Sequence, residues 1–276
     1  MRLPCPVLPC PLRKQCFLCK ITFVMSNFNP AILIPVYNHG KACMEVVKGL
    51  ESYCHSSGTK IILVDDGNGQ ETKSCLEQIS STYPDFVKLV VLEKNSGKGG
   101  AVKAGVKYAY EKGITHVLQL DADGQHDITR CQFFFEKAKE NPQAMICGYP
   151  EYDESAPGHR KKGRVFANIW CAIVSWESGI KDSMCGFRIY PVETTHKFMT
   201  SHFFDLRMGF DIEILIRLMW TGMPYDFYSV KVTYPSDGIS NFHVVKDNIR
   251  ISWVFTKLCI GMILRSPILL WRKLFK

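Results

Sequence analysis

Two acidic clusters could carry chemistry: LVDDG, with Asp65 and Asp66, and LDADGQH, with Asp121, Asp123, Gln125 and His126. Each follows a short apolar run, which places the carboxylates where open α/β sheets bind ligands, at the carboxyl ends of strands. Asp-Ala-Asp is the more specific signal. Alternate residues of an extended segment project to one side, so Asp121 and Asp123 can offer two hard oxygen donors to one Mg²⁺ or Mn²⁺, with water and diphosphate oxygens completing the shell. Such an ion would neutralise a departing nucleotide diphosphate. Asp-Asp-Gly by itself reads equally well as a turn.

Two further segments bear cations. NSGKGGA (95–101) opens a helix after a strand. It has neither the GxxxxGK[ST] spacing of a phosphate loop nor a GxGxxG after the first strand. Lys98 at a helix start can still reach a phosphate, the alternative being a solvated lysine in a glycine-rich turn. HRKKGRVFAN sets Arg160, Arg164 and Asn168 at i, i+4 and i+8, one face of a helix. With Lys161 and Lys162 they can hold an acceptor phosphate, whose oxygens suit arginine's fork; a solvated basic face is the alternative.

The elements that must position these groups follow from periodicity. AILIPV (31–36), KIILVD (60–65), VKLVVL (87–92) and HVLQLD (116–121) are apolar and β-branched, and predict strands. Helical period runs near 41–54, 71–82 and 98–112, so these βα units predict a doubly wound α/β half with a mostly parallel sheet flanked by helices. Beyond Asp121 the expected order is a helix near 129–140, a strand at 144–149, a long helix near 159–177, GFRIYP, and a helix near 209–221. No internal repeat intervenes, and the second half is expected to build onto the same sheet.

The ordered series AILIPVYN, VDDG, NSGKGGA, DADGQH, DSMCGFRIY and FDIEILIR resembles the inverting GT-A glycosyltransferases of family two, and within them the dolichyl-phosphate mannose synthase-like branch, over about residues 31–235. The resemblance implies a GT-A (Rossmann-like) fold, a nucleotide-diphosphate sugar donor, a divalent metal, and a polyprenyl phosphate or other lipid-linked acceptor. It implies that Pro35 and Tyr37, with Asp65 or Asp66, line the base and ribose, and that Lys98 lies beside the nucleotide. Asp121, Asp123 and Gln125 match the metal and diphosphate positions. Asp211 matches the acidic base position, with Glu213 next in line. A hydroxyl acceptor needs such a base, whereas a phosphate acceptor arrives as an anion and needs none. His39 stands where many members carry Glu, so no base contact is assigned there. A sugar-phosphate nucleotidylyltransferase, the rival enzyme class, would want a glycine- and arginine-rich loop directly after the first strand, and PVYNHGKA offers none. A non-catalytic membrane-associated scaffold retaining the fold is opposed by the intact Asp121 and Asp123.

Bulk properties agree with one enzyme-sized body: 276 residues, 46% hydrophobic and 22% charged, with a mean hydropathy of −0.03. The formal net charge of +8 favours anionic partners, but no recognition-helix motif or aromatic-studded basic strand set supports nucleic acid. The 12 cysteines are scattered, which argues against a disulfide framework, and Cys16-x-x-Cys19 has no second pair to complete a zinc site. Residues 1–24 are Pro- and Cys-rich, lack the order of a secretory signal, and are expected to be a disordered extension or an over-extended start. The glycosyltransferase domain is expected over 25–240 and an amphipathic tail over 241–276. That tail has too short and too interrupted an apolar run to span a bilayer easily. The expectation is interfacial helices broken at Pro267, with tryptophan and leucine in the lipid boundary and cations toward headgroups, holding a cytoplasmic protein peripherally on the inner membrane face.

Overall fold

The computed structural model describes residues 28–152, 158–233 and 244–275, with Tyr152, residues 158–162 and Val244 described by backbone alone. The expected extension at 1–24, with Cys16 and Cys19, lies outside the described residues, as does the expected boundary near 240. The order is β1 (Pro30–Val36), α1 (Gly40–Ser57), β2 (Lys60–Asp65), α2 (Gln70–Thr82), β3 (Val87–Val91), α3 (Lys98–Glu111) and β4 (His116–Gln119). A 3₁₀ turn at Ile128–Arg130 leads to α4 (Cys131–Glu140), β5 (Met145–Tyr152), α5 (Gly158–Ser175), β6 (Arg188–Pro191), α6 (Val192–Ser201), α7 (Phe210–Trp220), β7 (Tyr225–Val232) and α8 (Val244–Leu274). All seven strands join one sheet in the order β3-β2-β1-β4-β6-β5-β7. Pairing is parallel except at β6, which runs antiparallel to both β4 and β5. This is the α/β fold expected, with β7 and α6 added to it.

The central strands are apolar on both faces because helices cover both. Ile32 and Ile34 of β1 face a core built with Val46 and Leu50 of α1, Leu76 of α2 and Phe134 of α4. Ala31 and Leu33, pointing the other way, meet Val102 and Val106 of α3, Leu215 of α7 and Leu258 of α8. α7 is buried on almost every side, with only Arg217 partly exposed. Two carboxylates, Asp211 and Glu213, therefore sit in a helix whose other side chains are core, a placement that demands partners.

α8 corrects the expected tail. It is one continuous helix through Pro267, not two broken there. The carbonyl of Ile263, which loses its helical donor at Pro267, accepts from Ser266 Oγ at 2.8 Å. Val254, Leu258 and Leu269 are buried against the body, so the helix belongs to the enzyme core on one side. Three of its cations turn inward: Arg250 reaches Asp205 at 3.4 Å, Lys257 reaches Glu213 at 3.1 Å, and Arg272 donates to the carbonyls of Trp220 and Thr221, while Lys246 and Lys273 are exposed. Trp253, Ile260, Leu264 and Trp271 are left exposed. Residues 245–274 are long and apolar enough to cross a membrane by length and composition. The apolar run is thus longer than expected from the sequence.

Candidate active site

The acidic pair of LVDDG is part of the scaffold. Asp65 Oδ1 accepts from Asn68 N at 2.9 Å and Asn68 Nδ2 at 2.6 Å. Asn68 also donates to Val36 O and accepts from Asn38 N, so it ties the exit of β1 to that of β2. Asp66 accepts from Ser96 N at 2.7 Å and Gly97 N at 2.9 Å, satisfying amides at the start of α3. Both aspartates are only 2% exposed. These bonds give Asp65 and Asp66 a turn-building role at the sheet edge where one of them is expected to line the ribose, and both oxygens of Asp66 are engaged. Pro35 is half-buried at the end of β1 and Tyr37, just past it, is 38% exposed at the same sheet edge.

The chemistry converges one strand over. β4 stops at Gln119, two residues earlier than expected, and Asp121 to Gln125 form a turn with Gly124 at φ 72°. The premise of an extended Asp-Ala-Asp is thus corrected, and Asp123 Oδ1 accepts from Gln125 N at 3.1 Å within the turn. The turn is stitched to the end of β7, where His126 bridges Val232 and Thr233 N donates to Gln125 O at 3.0 Å. Lys98, the first residue of α3, brings its ammonium within 2.8 Å of Asp121 and 2.7 Å of Asp211 from α7. Gly186 approaches them closely: a Cβ there would lie 2.4 Å from Asp121 Oδ2 and 2.7 Å from Lys98 Nζ, so those side-chain ends would have to shift.

A buried polar chain supports Asp211. Gln119 Nε2 donates to its Oδ1 at 2.9 Å, and Arg188 Nη1 donates to its main-chain carbonyl at 3.0 Å. Tyr190 links them, its hydroxyl 3.4 Å from both Gln119 Oε1 and Arg188 Nη1. Gln119, Arg188 and Tyr190 are fully buried. None was singled out beforehand, although a glutamine in HVLQLD and an arginine in GFRIYP, polar residues inside strands, were the signal.

The charges respond to this crowding. Burial opposes the Lys98 ammonium, but the Asp121 and Asp211 carboxylates outweigh it and hold its pKa above the ordinary lysine value. Burial likewise works against the Asp121 carboxylate, and Lys98 more than compensates, leaving its pKa lowered. Asp123 is pushed up, by burial and then by the charge of Asp121. His126 is pushed down by burial despite both aspartates. The two acids of the motif are therefore close enough to feel each other.

Glu213 lies elsewhere. It points off the other side of α7, accepting from Asp205 N at 2.7 Å and pairing with Lys257 and Arg217. It is not brought to the Lys98 centre. Two members of the expected acceptor cluster have partners within the chain. Arg164 Nη1 donates to both oxygens of Asp182 at 2.8 Å, and Asn168 binds Lys181 O and Ser183 N. These side chains hold the 181–185 loop that carries Gly186 over the centre instead of forming a solvated face. The side chain of Arg160 lies outside the described residues.

Residues 31–208 match the family model described as glycosyl transferase family 2. The chain belongs to that family. This glycosyltransferase is 27% identical to the dolichyl-phosphate beta-glucosyltransferase of Dictyostelium discoideum, over 82% of this chain and 75% of that one. It is 28% identical to the UDP-N-acetylglucosamine–dolichyl-phosphate N-acetylglucosaminyltransferase of Methanococcus voltae, over 58% and 71%. In fold it is similar to glucosyl-3-phosphoglycerate synthase from Mycobacterium tuberculosis, solved with Mn²⁺, uridine diphosphate and glucosyl-3-phosphoglycerate, at a TM-score of 0.64, 12% identity, and coverage of 90% and 86%. The chain is related to dolichyl-phosphate glycosyltransferases in general and not specifically to the mannose synthase branch.

The resemblance implies a divalent metal, for which the Asp121–Asp123 motif is the candidate donor set. Among the described residues no three His, Cys, Asp or Glu side chains stand in ligating geometry. Asp121 and Asp123 together fit Mg²⁺ or Mn²⁺, ions held by one or two carboxylates with substrate phosphates and water supplying the rest.

Proposed function

We propose that this enzyme transfers a sugar from a nucleoside diphosphate, uridine diphosphate by kinship, to the phosphate of a polyprenyl lipid, with inversion at the anomeric carbon. The observation that carries the reading is the Lys98 bridge, which brings Asp121 of the metal motif and Asp211 of α7 to one ammonium. Asp121, Asp123 and Gln125 would hold the metal, which supplies charge neutralisation to the leaving diphosphate. Lys98 places a second positive charge beside that group, and Tyr37 and Pro35 border the space at the end of β1 where the base would lie. Gly186 keeps the wall of the site low enough for donor and acceptor to approach, while Arg164 and Asn168 hold its loop. Both oxygens of Asp211 already accept hydrogen bonds, from Lys98 and Gln119. An acceptor that is already an anion fits such a residue better than one needing its proton removed. The fit to membrane-borne acceptor comes from the exposed apolar side of α8, and a place on the cytoplasmic face follows if the donor is a cytosolic nucleotide sugar.

The test is transfer by the purified full chain with a panel of nucleotide sugars, including UDP-glucose and GDP-mannose, with Mn²⁺ and a short polyprenyl phosphate. Metal-dependent product from one donor supports the reading and names the sugar, mannose included. Failure with every donor while a soluble hydroxyl acceptor is glycosylated would overturn the lipid-phosphate assignment.

A further inference from the structure

On the side of α7 away from Lys98 lies a cleft of about 190 Å³ between α7 and α8. Three cations, Arg217, Lys257 and Arg265, line it against one carboxylate, Glu213. Glu213 is 2% exposed and pairs with Lys257 at 3.1 Å and Arg217 at 3.3 Å. Among the described residues Arg265 pairs with no acid: Nη1 donates to Gly261 O at 3.3 Å, and its guanidinium lies 5.0 Å from the centre of the Trp220 ring. The cleft thus carries an excess of positive charge on partly apolar walls. At its rim Phe203 is 99% exposed.

We infer that this cleft binds a phosphate group carried on an apolar chain, the headgroup of an anionic phospholipid. The size suits a phosphate with a few attached carbons; sites for drug-sized molecules start at roughly 300 Å³. Guanidinium groups present planar forks to phosphate oxygens, and Arg265 retains donors beyond its one main-chain bond. A ligand with an acyl tail is favoured because the cleft shares α8 with the exposed side chains of Trp253, Ile260 and Leu264. Phosphate in the cleft and hydrocarbon against that stripe would be met together at a bilayer surface. The inference rests on α8 facing a membrane, which neutral vesicles test separately.

The experiment is flotation of the full chain with phosphatidylcholine vesicles, with and without phosphatidic acid, for the wild type, Arg265→Gln and Arg265→Lys. The expected result is a preference for phosphatidic acid that falls by about 5-fold in Arg265→Gln, the factor that one cation near an anionic membrane contributes. Binding to neutral vesicles should be unchanged, and Arg265→Lys should regain part of the preference, which a mere folding defect would not allow. Inorganic phosphate in a thermal-shift assay distinguishes the source: stabilisation of wild type but not Arg265→Gln, without a lipid preference, would keep the phosphate site and make its ligand soluble. Equal preference and equal phosphate stabilisation in all three proteins, or neither effect in the wild type, would overturn the site. Loss of neutral-vesicle binding on Trp253→Ser, with Arg265→Gln unaffected there, tests the membrane-facing helix independently.

Discussion

Lys98 Nζ lies 2.7 Å from Asp211 Oδ2, joining the first residue of α3 to the first turn of α7, while the same ammonium holds Asp121. One cation therefore fixes the distance between the metal motif and the only carboxylate that α7 sends to it among the described residues. Replacing it with methionine leaves two carboxylates facing a neutral side chain. Lys98→Met should cost ~2–3 kcal/mol of stability, less than for a wholly buried pair because the Lys98 side chain is 21% exposed. Added Mn²⁺ should restore part of the melting temperature, since a ligand bound only by the folded state stabilises it. A variant as stable as wild type, or indifferent to Mn²⁺, would contradict this account.

Asp123→Asn keeps the turn's hydrogen bond from Gln125 N, because an amide oxygen can accept it, but removes a charged donor to the metal. The fold should survive, and the Mn²⁺ concentration needed for half-maximal turnover should rise at least about 10–100-fold. Turnover at the wild-type rate and metal dependence would remove Asp123 from the metal site.

Asp211→Asn separates acceptor chemistries. With a phosphate acceptor the variant should retain activity to within about 10-fold, whereas loss of a general base costs on the order of 10²-fold or more. The larger loss, in a protein whose melting curve is unchanged, would assign proton abstraction to Asp211.

Gly186→Ala should reduce turnover on the order of 10²-fold while sparing most of the stability, because the new methyl group forces the Asp121 carboxylate and Lys98 apart by fractions of an ångström. Steady-state kinetics beside a thermal melt would read both. Wild-type turnover would mean that the close approach is not needed.

His116 makes stability pH-dependent away from the site. Burial, against its hydrogen bond to Pro142, depresses its folded pKa to about 4. The unfolded chain then takes up a proton near the ordinary histidine value while the folded chain does not, so stability is lost as pH falls from about 6.5 toward 4. The loss between pH 7 and 5 should be about 2 kcal/mol in denaturant titrations. In His116→Gln that component of the slope should vanish; an unchanged slope would place the acid sensitivity elsewhere.

The first four strands and the helices between them were legible because their apolar periodicity is local, and the Asp121–Asp123 motif stood out because it follows an apolar run. β7 was not. YDFYSVKV mixes charge with aromatics, as befits an edge strand, and its pairing with β5 depends on residues far away in the chain. The same holds for the turn and helix-start bonds of Asp65 and Asp66, whose partners Asn68 and Ser96 are set by the fold. Gln119, Arg188 and Tyr190 were hidden because a polar residue in a strand announces burial only when its neighbours on other strands are known. In α8 composition gave the amphipathic character but could not show that Arg250, Lys257 and Arg272 turn inward, since the carboxylates and carbonyls they answer, on Asp205, Glu213, Trp220 and Thr221, belong to α7 and the loops flanking it.

The stitching of the Asp121–His126 turn to Val232 and Thr233 has a consequence for how the enzyme comes into being. During synthesis the catalytic loop leaves the ribosome well before its clamp, and Asp211 follows later than the last residue of the family match at 208. The nucleotide-facing half can collapse early on local βα contacts, but its reactive turn takes its final shape only when β7 docks, a long-range closure of the kind that slows folding. A fragment ending at residue 208 would therefore emerge as a partly assembled sheet without a working centre. A nascent chain stalled before β7 would lack the contacts that shape the Asp121–His126 turn.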